Sequence, residues 1–261
     1  MHRAGAEGAG PAVSGRPAPA PLALAETALF LDLDGTLAPI SPRPEDVGPE
    51  PERTALLRAL DRALDGRLAV ISGRTLDEVD RILDHSVAAV AGVHGLERRF
   101  TDGAVWRAKA SPDLARARAA LAPLIGAWPG AWLEDKGLSL AVHYRAAPAA
   151  AEAVGRVAEA LARRGDLVLQ AGHMVIELRT PGPDKGDAVG AFMANAPFAG
   201  ARPVFVGDDR TDERGFAAAT ERGGFGVLVG ADRETSAAAS LADVAAVRAW
   251  LHASLRPRGM P

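Results

Sequence analysis

The sequence predicts an α/β fold: a doubly wound, mostly parallel, Rossmann-like sheet interrupted by an inserted α+β cap. Up to about residue 103, short and continuously apolar runs alternate with amphipathic helical patterns, the grammar of strands buried on both faces. From about 104 to 178 the runs switch to apolar-polar alternation, which suits half-exposed antiparallel strands. After 179 the buried runs resume, so the middle reads as an insertion. The expected division is a tail at 1–25, a core built from 26–103 and 179–261, and a cap at 104–178.

Residues 1–25 are rich in Ala, Gly and Pro and lack the apolar stretch of a secretory signal, so a disordered tail is expected. Ala28-Leu29-Phe30-Leu31 is the first buried strand and ends at Asp32. A proline-rich loop from Pro39 to Pro51 follows, then a helix with Leu56, Leu57, Leu60 and Leu64 on one face. Leu68 to Ile71 is the next strand, stopped by Ser72-Gly73-Arg74. Thr75 with Glu78 three residues on is a capping-box helix start. Ala88 to Val93 makes a third strand and ends in Gly92-Val93-His94-Gly95.

In the insert, Trp132 to Leu133, Leu138 to Arg145 and Met174 to Leu178 read as strands, with Ala-rich helices at about 112–125 and 147–163 as their cover. Lys185 opens a further helix. Pro203 to Val206 and Phe225 to Val229 are buried strands, and Asp243 to Leu255 is the last helix.

Composition narrows the function. A net charge of −3 and a pI near 6.1 argue against a nucleic-acid or membrane-surface partner, which would need a concentrated basic face. The absence of cysteine excludes disulfides, thiolate metal sites and cysteine nucleophiles, and suits a reducing cytoplasm. No stretch of about 18 uncharged apolar residues offers a membrane span. A small soluble substrate is therefore expected, handled by a monomer or weak oligomer. Only three lysines occur, at 109, 136 and 185, in a chain otherwise reliant on arginine. A lysine is the compact point charge that reaches a single oxygen, so each position invites a functional reading.

Four groups of residues fall at ends of core elements: Asp32 with Asp34, Ser72, Lys185, and Asp208-Asp209 with Asp212. Singly, each has an ordinary explanation as a turn or cap residue. Together they converge, because ligands in open α/β sheets bind outside the carboxyl ends of the strands. Gathered carboxylates repel, by roughly 4 kcal/mol for a pair about 4 Å apart at an effective dielectric near 20. A hard cation with all-oxygen ligands, magnesium above all, would offset them, and Ser72 and Lys185 beside it suit a phosphate.

These residues also resemble a known group. Asp32-x-Asp34-Gly35-Thr36, Ser72, Lys185 and Gly207-Asp208-Asp209-x-x-Asp212 match, in order, the four motifs of haloacid dehalogenase-like (HAD) phosphatases. Within that group, Ile40 to Pro51, Ser72-Gly73-Arg74, Gly92 to Gly95, Glu134 to Ser139, His143-Tyr144-Arg145, Glu177 and Gly207 to Glu213 are similar to the trehalose-6-phosphate phosphatases. The resemblance runs from about Leu29 to Leu255. It implies Asp32 as nucleophile, Asp34 as general acid and base, and Ser72 and Lys185 as phosphate clamps. It implies Asp208 as a magnesium ligand with Asp32 and the Asp34 carbonyl, and Asp209 and Asp212 in outer positions. It assigns substrate contacts to Gly35, Thr36, Gly73 and Arg74 in the core, and sugar hydroxyls to Glu134, Lys136, Arg145 and Glu177 in the cap. His173 departs from the pattern, standing where a lysine is common. His94 and His143 are read as structural or hydrogen-bonding groups.

Other sugar-phosphate phosphatases, acting on sucrose phosphate or a mannosyl ester, and a phosphomutase share the core motifs, so the sugar is left to the cap residues. A phospho-receiver module also surrounds an Asp with acids, a hydroxyl and a lysine, but it needs no cap. A catalytically idle sugar-binding protein would be expected to lack one of the core motif residues.

Overall fold

The computed structural model describes residues 15–41, 43–172 and 174–256. In chain order its elements are β1 (Thr27–Leu31), α1 (Pro51–Ala63), β2 (Leu68–Ile71), α2 (Leu76–Leu83), β3 (Ala89–Gly92), β4 (Glu97–Arg99), β5 (Val105–Arg107), α3 (Asp113–Gly126), β6 (Trp132–Asp135) and β7 (Ser139–His143). There follow α4 (Ala151–Arg164), β8 (Val168–Gly172), β9 (Val175–Arg179), α5 (Lys185–Met193), β10 (Arg202–Gly207), α6 (Glu213–Glu221), β11 (Phe225–Val229), β12 (Ala239–Leu241) and α7 (Val244–Leu255).

The larger sheet has eight strands in the order β12-β11-β10-β1-β2-β3-β4-β5. The strands from β12 to β3 run parallel, and β4 and β5 add an antiparallel edge. Alternate residues of each parallel strand enter opposite cores, which is why these strands read as unbroken apolar runs. Leu29, Leu31, Val70, Val204 and Val206 pack with α1, α2 and α7 on one face. Phe30, Ile71, Phe205 and Leu228 pack with α5 and α6 on the other. The order reverses at β1: the chain proceeds to β2 on one side and returns through β10 on the other. That switch point opens a crevice beyond the strand ends.

A separate antiparallel sheet, β6-β7-β9-β8, is covered on one face by α3 and α4. Leu140, Val142 and Leu178 meet Leu114, Leu121, Val154 and Ala158 there. The two-residue period then sends Trp132, Glu134, Ala141, His143, Gln170 and Glu177 to the opposite face, over the crevice.

Two expectations need correction. The larger sheet continues past residue 104, because Val105–Arg107 pairs with Glu97–Arg99 in a hairpin too short to show periodicity. The tail expected over residues 1–25 is ordered where it is described: Leu22 is buried, Trp250 Nε1 donates to the Ala20 carbonyl, and Ser240 N donates to the Pro17 carbonyl at the β12 edge. A prolyl-rich strap can satisfy a sheet edge through its carbonyls alone. Residues 1–14 and His173 lie outside the described residues. No helix of the described residues is long and apolar enough to cross a membrane.

Candidate active site

Asp32 leaves the end of β1 with its N–H held by the Val206 carbonyl of β10, so its side chain starts at the switch point between two central strands. Asp208 and Asp212 follow β10. One carboxylate oxygen each from Asp32, Asp208 and Asp212 lie within 4.8 Å of one another. Lys185, the first residue of α5, reaches Asp212 Oδ1 at 2.6 Å and Asp32 Oδ1 at 3.0 Å, and only 2% of its side chain is exposed. Its helix start is fixed by a capping box between Asp184 and Asp187, which explains why a cation tolerates the first turn: its partners are the acids, not the helix dipole. Burial alone would lower the Lys185 value, but Asp212 and Asp32 outweigh it and raise it.

One ammonium does not balance three carboxylates. Burial first, and then Asp212 and Asp208, push Asp32 well above the ordinary carboxylate value against the pull of Lys185. Burial followed by Asp212 pushes Asp208 up to about 7. Asp208 Oδ1 is buried without a hydrogen-bond partner. An all-oxygen set of this kind, with a buried acceptor left over, fits a hard divalent cation such as magnesium. Gly35 is fitted to the same group. A Cβ there would lie 2.1 Å from Asp208 Oδ2, and its φ of +78° favours glycine.

Ser72 closes β2, its N–H on the Ala91 carbonyl of β3, and is buried at the cavity wall. Gly73 has no room for a side chain, since a Cβ would meet the His94 ring at 2.6 Å. Arg74 grips Asp34 with two bonds of 2.7 Å.

The smaller sheet supplies the facing wall. Its register sets Glu134, Ala141, Glu177 and Gln170 in one row across four strands. Lys136 Nζ lies 3.7 Å from both Glu134 Oε2 and Glu177 Oε1 and donates to the Gly73 carbonyl at 3.0 Å. His143 Nε2 meets Glu134 Oε2 at 2.7 Å, with its ring stacked on Trp132. His94 Nε2 meets Glu177 Oε2 at 3.1 Å. Burial alone would raise Glu177, yet Lys136 and His94 hold it well below the usual carboxylate range. Burial would lower Lys136, but Glu177 and Glu134 raise it.

Asp32, Asp208 and this row line one cavity of about 820 Å³, near the upper end of the ~300–1,000 Å³ typical of small-molecule sites. Asp32, Asp34, Ser72, Gly73, Arg74, Lys185, Asp208 and Asp209 line it from the core, and Glu134, Lys136, Arg145 and Glu177 from the insert. Two of the expected substrate contacts stand elsewhere. Gly35 and Thr36 lie beneath the cavity rather than on it, with Thr36 fully buried. The Asp209 side chain accepts from Arg210 N and caps the short helical turn at Arg210–Asp212, so it does not join the acid trio. The Asp34 carboxylate is likewise outside the trio, because Arg74 holds it.

Sequence reasoning left out Gln170, Trp132 and Arg233. Arg233 donates to the Asp209 carbonyl at 2.7 Å and steadies the loop that carries Asp208. Alternation from Glu134 could have found Trp132. Gln170 needed the β8–β9 register, and Arg233 needed the tertiary fold.

A family model described as trehalose-phosphatase matches residues 30–246. The chain is 42% identical over 229 residues to the trehalose-6-phosphate phosphatase of Escherichia coli K12, covering 87% of this chain and 86% of that protein. Among solved structures, the C-terminal domain of Candida albicans trehalose-6-phosphate phosphatase superposes with a TM-score of 0.78 at 22% identity, over 93% of this chain and 99% of that one. A phosphatase of the HAD superfamily from Bacteroides thetaiotaomicron gives a TM-score of 0.60 at 18% identity, over 90% and 97%. At such identities these two structures speak for the fold, which is that of the HAD phosphatases.

Proposed function

The chain belongs to the trehalose-phosphatase family and is a phosphoric monoester hydrolase, and from that premise we propose that it converts trehalose 6-phosphate to trehalose and phosphate through an aspartyl phosphate on Asp32, with magnesium as cofactor. The observation that carries the reading is the juxtaposition across one cavity: buried acids with Lys185 on one wall, and a charged, sheet-mounted row of Glu134, Lys136 and Glu177 on the other.

In the proposed reaction, Asp32 attacks phosphorus as the bond to the sugar oxygen breaks, and Asp34 gives that oxygen a proton. Water then attacks the aspartyl phosphate, Asp34 takes its proton, and the bond from phosphorus to Asp32 breaks. Ser72 and Lys185 hold phosphate oxygens, and Lys185 also orients the nucleophile at 3.0 Å. Asp32, Asp208 and Asp212 are the side chains that would hold magnesium, and Asp34 has its main-chain carbonyl to offer the same ion. When bound, that cation neutralises the charge that a phosphate dianion and the acids bring together. Glu134, Lys136, Arg145 and Glu177 would exchange hydrogen bonds with sugar hydroxyls, which both donate and accept. Lys136 and Glu177 also contact the core at Gly73 and His94, so the sugar-facing sheet is already seated over the site and limits entry of water. The proposed enzyme acts in the cytoplasm, a reading supported by its cysteine-free sequence, as a monomer or weak oligomer.

Phosphate release from trehalose 6-phosphate, sucrose 6-phosphate, glucose 6-phosphate and mannose phosphates, with magnesium or with chelator, tests the reading. Trehalose 6-phosphate should lead the panel and chelator should stop it; equal rates across the esters would refute the substrate. Asp32→Asn should abolish turnover while leaving the fold intact.

A further inference from the structure

Arg74 lines the cavity, and the resemblance makes it a substrate contact, but most of its guanidinium is committed elsewhere. Nε donates to Asp34 Oδ2 and Nη2 to Asp34 Oδ1, both at 2.7 Å, while Nη1 donates to the Pro44 carbonyl at 2.8 Å. Three of the five N–H groups an arginine possesses are engaged, on a side chain that is 8% exposed. Only two N–H groups are left for a phosphate while the fork stands. The backbone of Arg74 is held as firmly: its N–H bonds Ser72 Oγ at 3.2 Å, and its carbonyl accepts from Val93 N at 2.8 Å. Thr75, the next residue, caps α2.

The fork uses one acceptor position on each Asp34 oxygen and leaves another on each. It therefore fixes the plane of the carboxylate without closing it to a further partner. A proton shuttle needs heavy-atom approaches of about 2.6–3.2 Å to its partners, and misplacement by about 1 Å can cost ~100-fold in rate. Nothing else among the described hydrogen bonds holds the Asp34 side chain.

We infer that Arg74 is a positioning residue for both proton transfers of Asp34, rather than a substrate contact. The inference rests on the reading of Asp34 as the shuttle. In the first transfer a protonated Asp34 gives its proton to the ester oxygen as phosphorus exchanges that oxygen for Asp32. In the second, the Asp34 carboxylate takes a proton from water as the water oxygen replaces Asp32 on phosphorus. Loss of the fork should therefore slow the second step for every ester, and slow the first only where the leaving oxygen needs a proton.

p-Nitrophenyl phosphate separates the steps, because nitrophenolate leaves without protonation. With Arg74→Met, stopped-flow should show a burst of one nitrophenolate per enzyme, followed by a steady rate about 100-fold below that of the parent chain. Trehalose 6-phosphate should show no burst and at least the same loss of kcat. Arg74→Lys keeps the charge but not the fork, and should show the burst with a loss of about tenfold. Loss of the burst together with the steady rate would mean that Arg74 only braces the loop, and would overturn the inference. An unchanged steady rate in Arg74→Lys would do the same, even if Arg74→Met fails to fold. If the parent chain hydrolyses p-nitrophenyl phosphate but not trehalose 6-phosphate, the sugar reading fails while these measurements still decide the role of Arg74.

Discussion

Lys136→Met removes the charge at the centre of the proposed sugar-binding wall while keeping most of the side chain's volume. The side chain is 10% exposed, and its ammonium stands 3.7 Å from each of two carboxylates and donates to Gly73 O. Removing one partner of a buried ion pair costs about 3–5 kcal/mol when the other is left alone. Here Glu177 keeps His94 and Ser139, and Glu134 keeps His143, so a loss of about 2–3 kcal/mol is expected, with a melting point lower by about 5–10 °C. A charged hydrogen bond to a sugar hydroxyl is worth about 1.5–3 kcal/mol, so kcat/KM for trehalose 6-phosphate should fall by roughly 10- to 150-fold. Turnover of p-nitrophenyl phosphate, which has no sugar, should change less than about threefold.

The pH dependence has a definite sign. Glu177 is held below its ordinary value, so its contribution is present above the unfolded value near 4.3 and is lost as pH falls through the folded one. Lys136 is raised, so its contribution is complete below about 10.4 and is lost as pH rises further. Because Lys136 also holds His94 down, the stability gap between parent and variant should be flat only from about pH 8 to 10 and shrink on either side, as read by urea unfolding. Equal losses on both esters, or a gap that widens in acid, would refute this account of the wall.

Gly35→Ala should impair catalysis without touching substrate, since its Cβ would lie 2.1 Å from Asp208 Oδ2. The left-handed backbone costs an alanine about 1–2 kcal/mol, and a displaced Asp208 should lower kcat about 100-fold while raising the magnesium concentration for half-maximal activity. Asp208→Asn removes one charge from the acid trio, and calorimetry should find magnesium affinity weaker by at least about tenfold. Unaltered affinity would take Asp208 out of the proposed metal set.

Much of the fold was legible because buried parallel strands leave local signatures. The strands ending at Leu31, Ile71 and Val229 and the capping box at Thr75 are written in contiguous residues. The hairpin of β4 and β5 and the short β12 were not legible, being three residues long with no room for a period. The ordered strap at residues 16–22 was hidden by its composition, which resembles a free tail until α7 and β12 supply its partners.

Local pattern by itself determined the alternation of buried strands and helices, the interruption by an antiparallel sheet, and the acids and lysine proposed to carry the chemistry. Their types and spacing are properties of neighbouring residues, which sequence records directly. Tertiary structure alone decided how those residues are shared out. It grouped Asp212 with Asp32 and Asp208, turned Asp209 to a helical cap, and gave Asp34 to Arg74. It also joined His94, 83 residues distant in sequence, to Glu177. The physical reason is that a charge selects its partner by distance and burial in three dimensions, and a strand register far along the chain sets both.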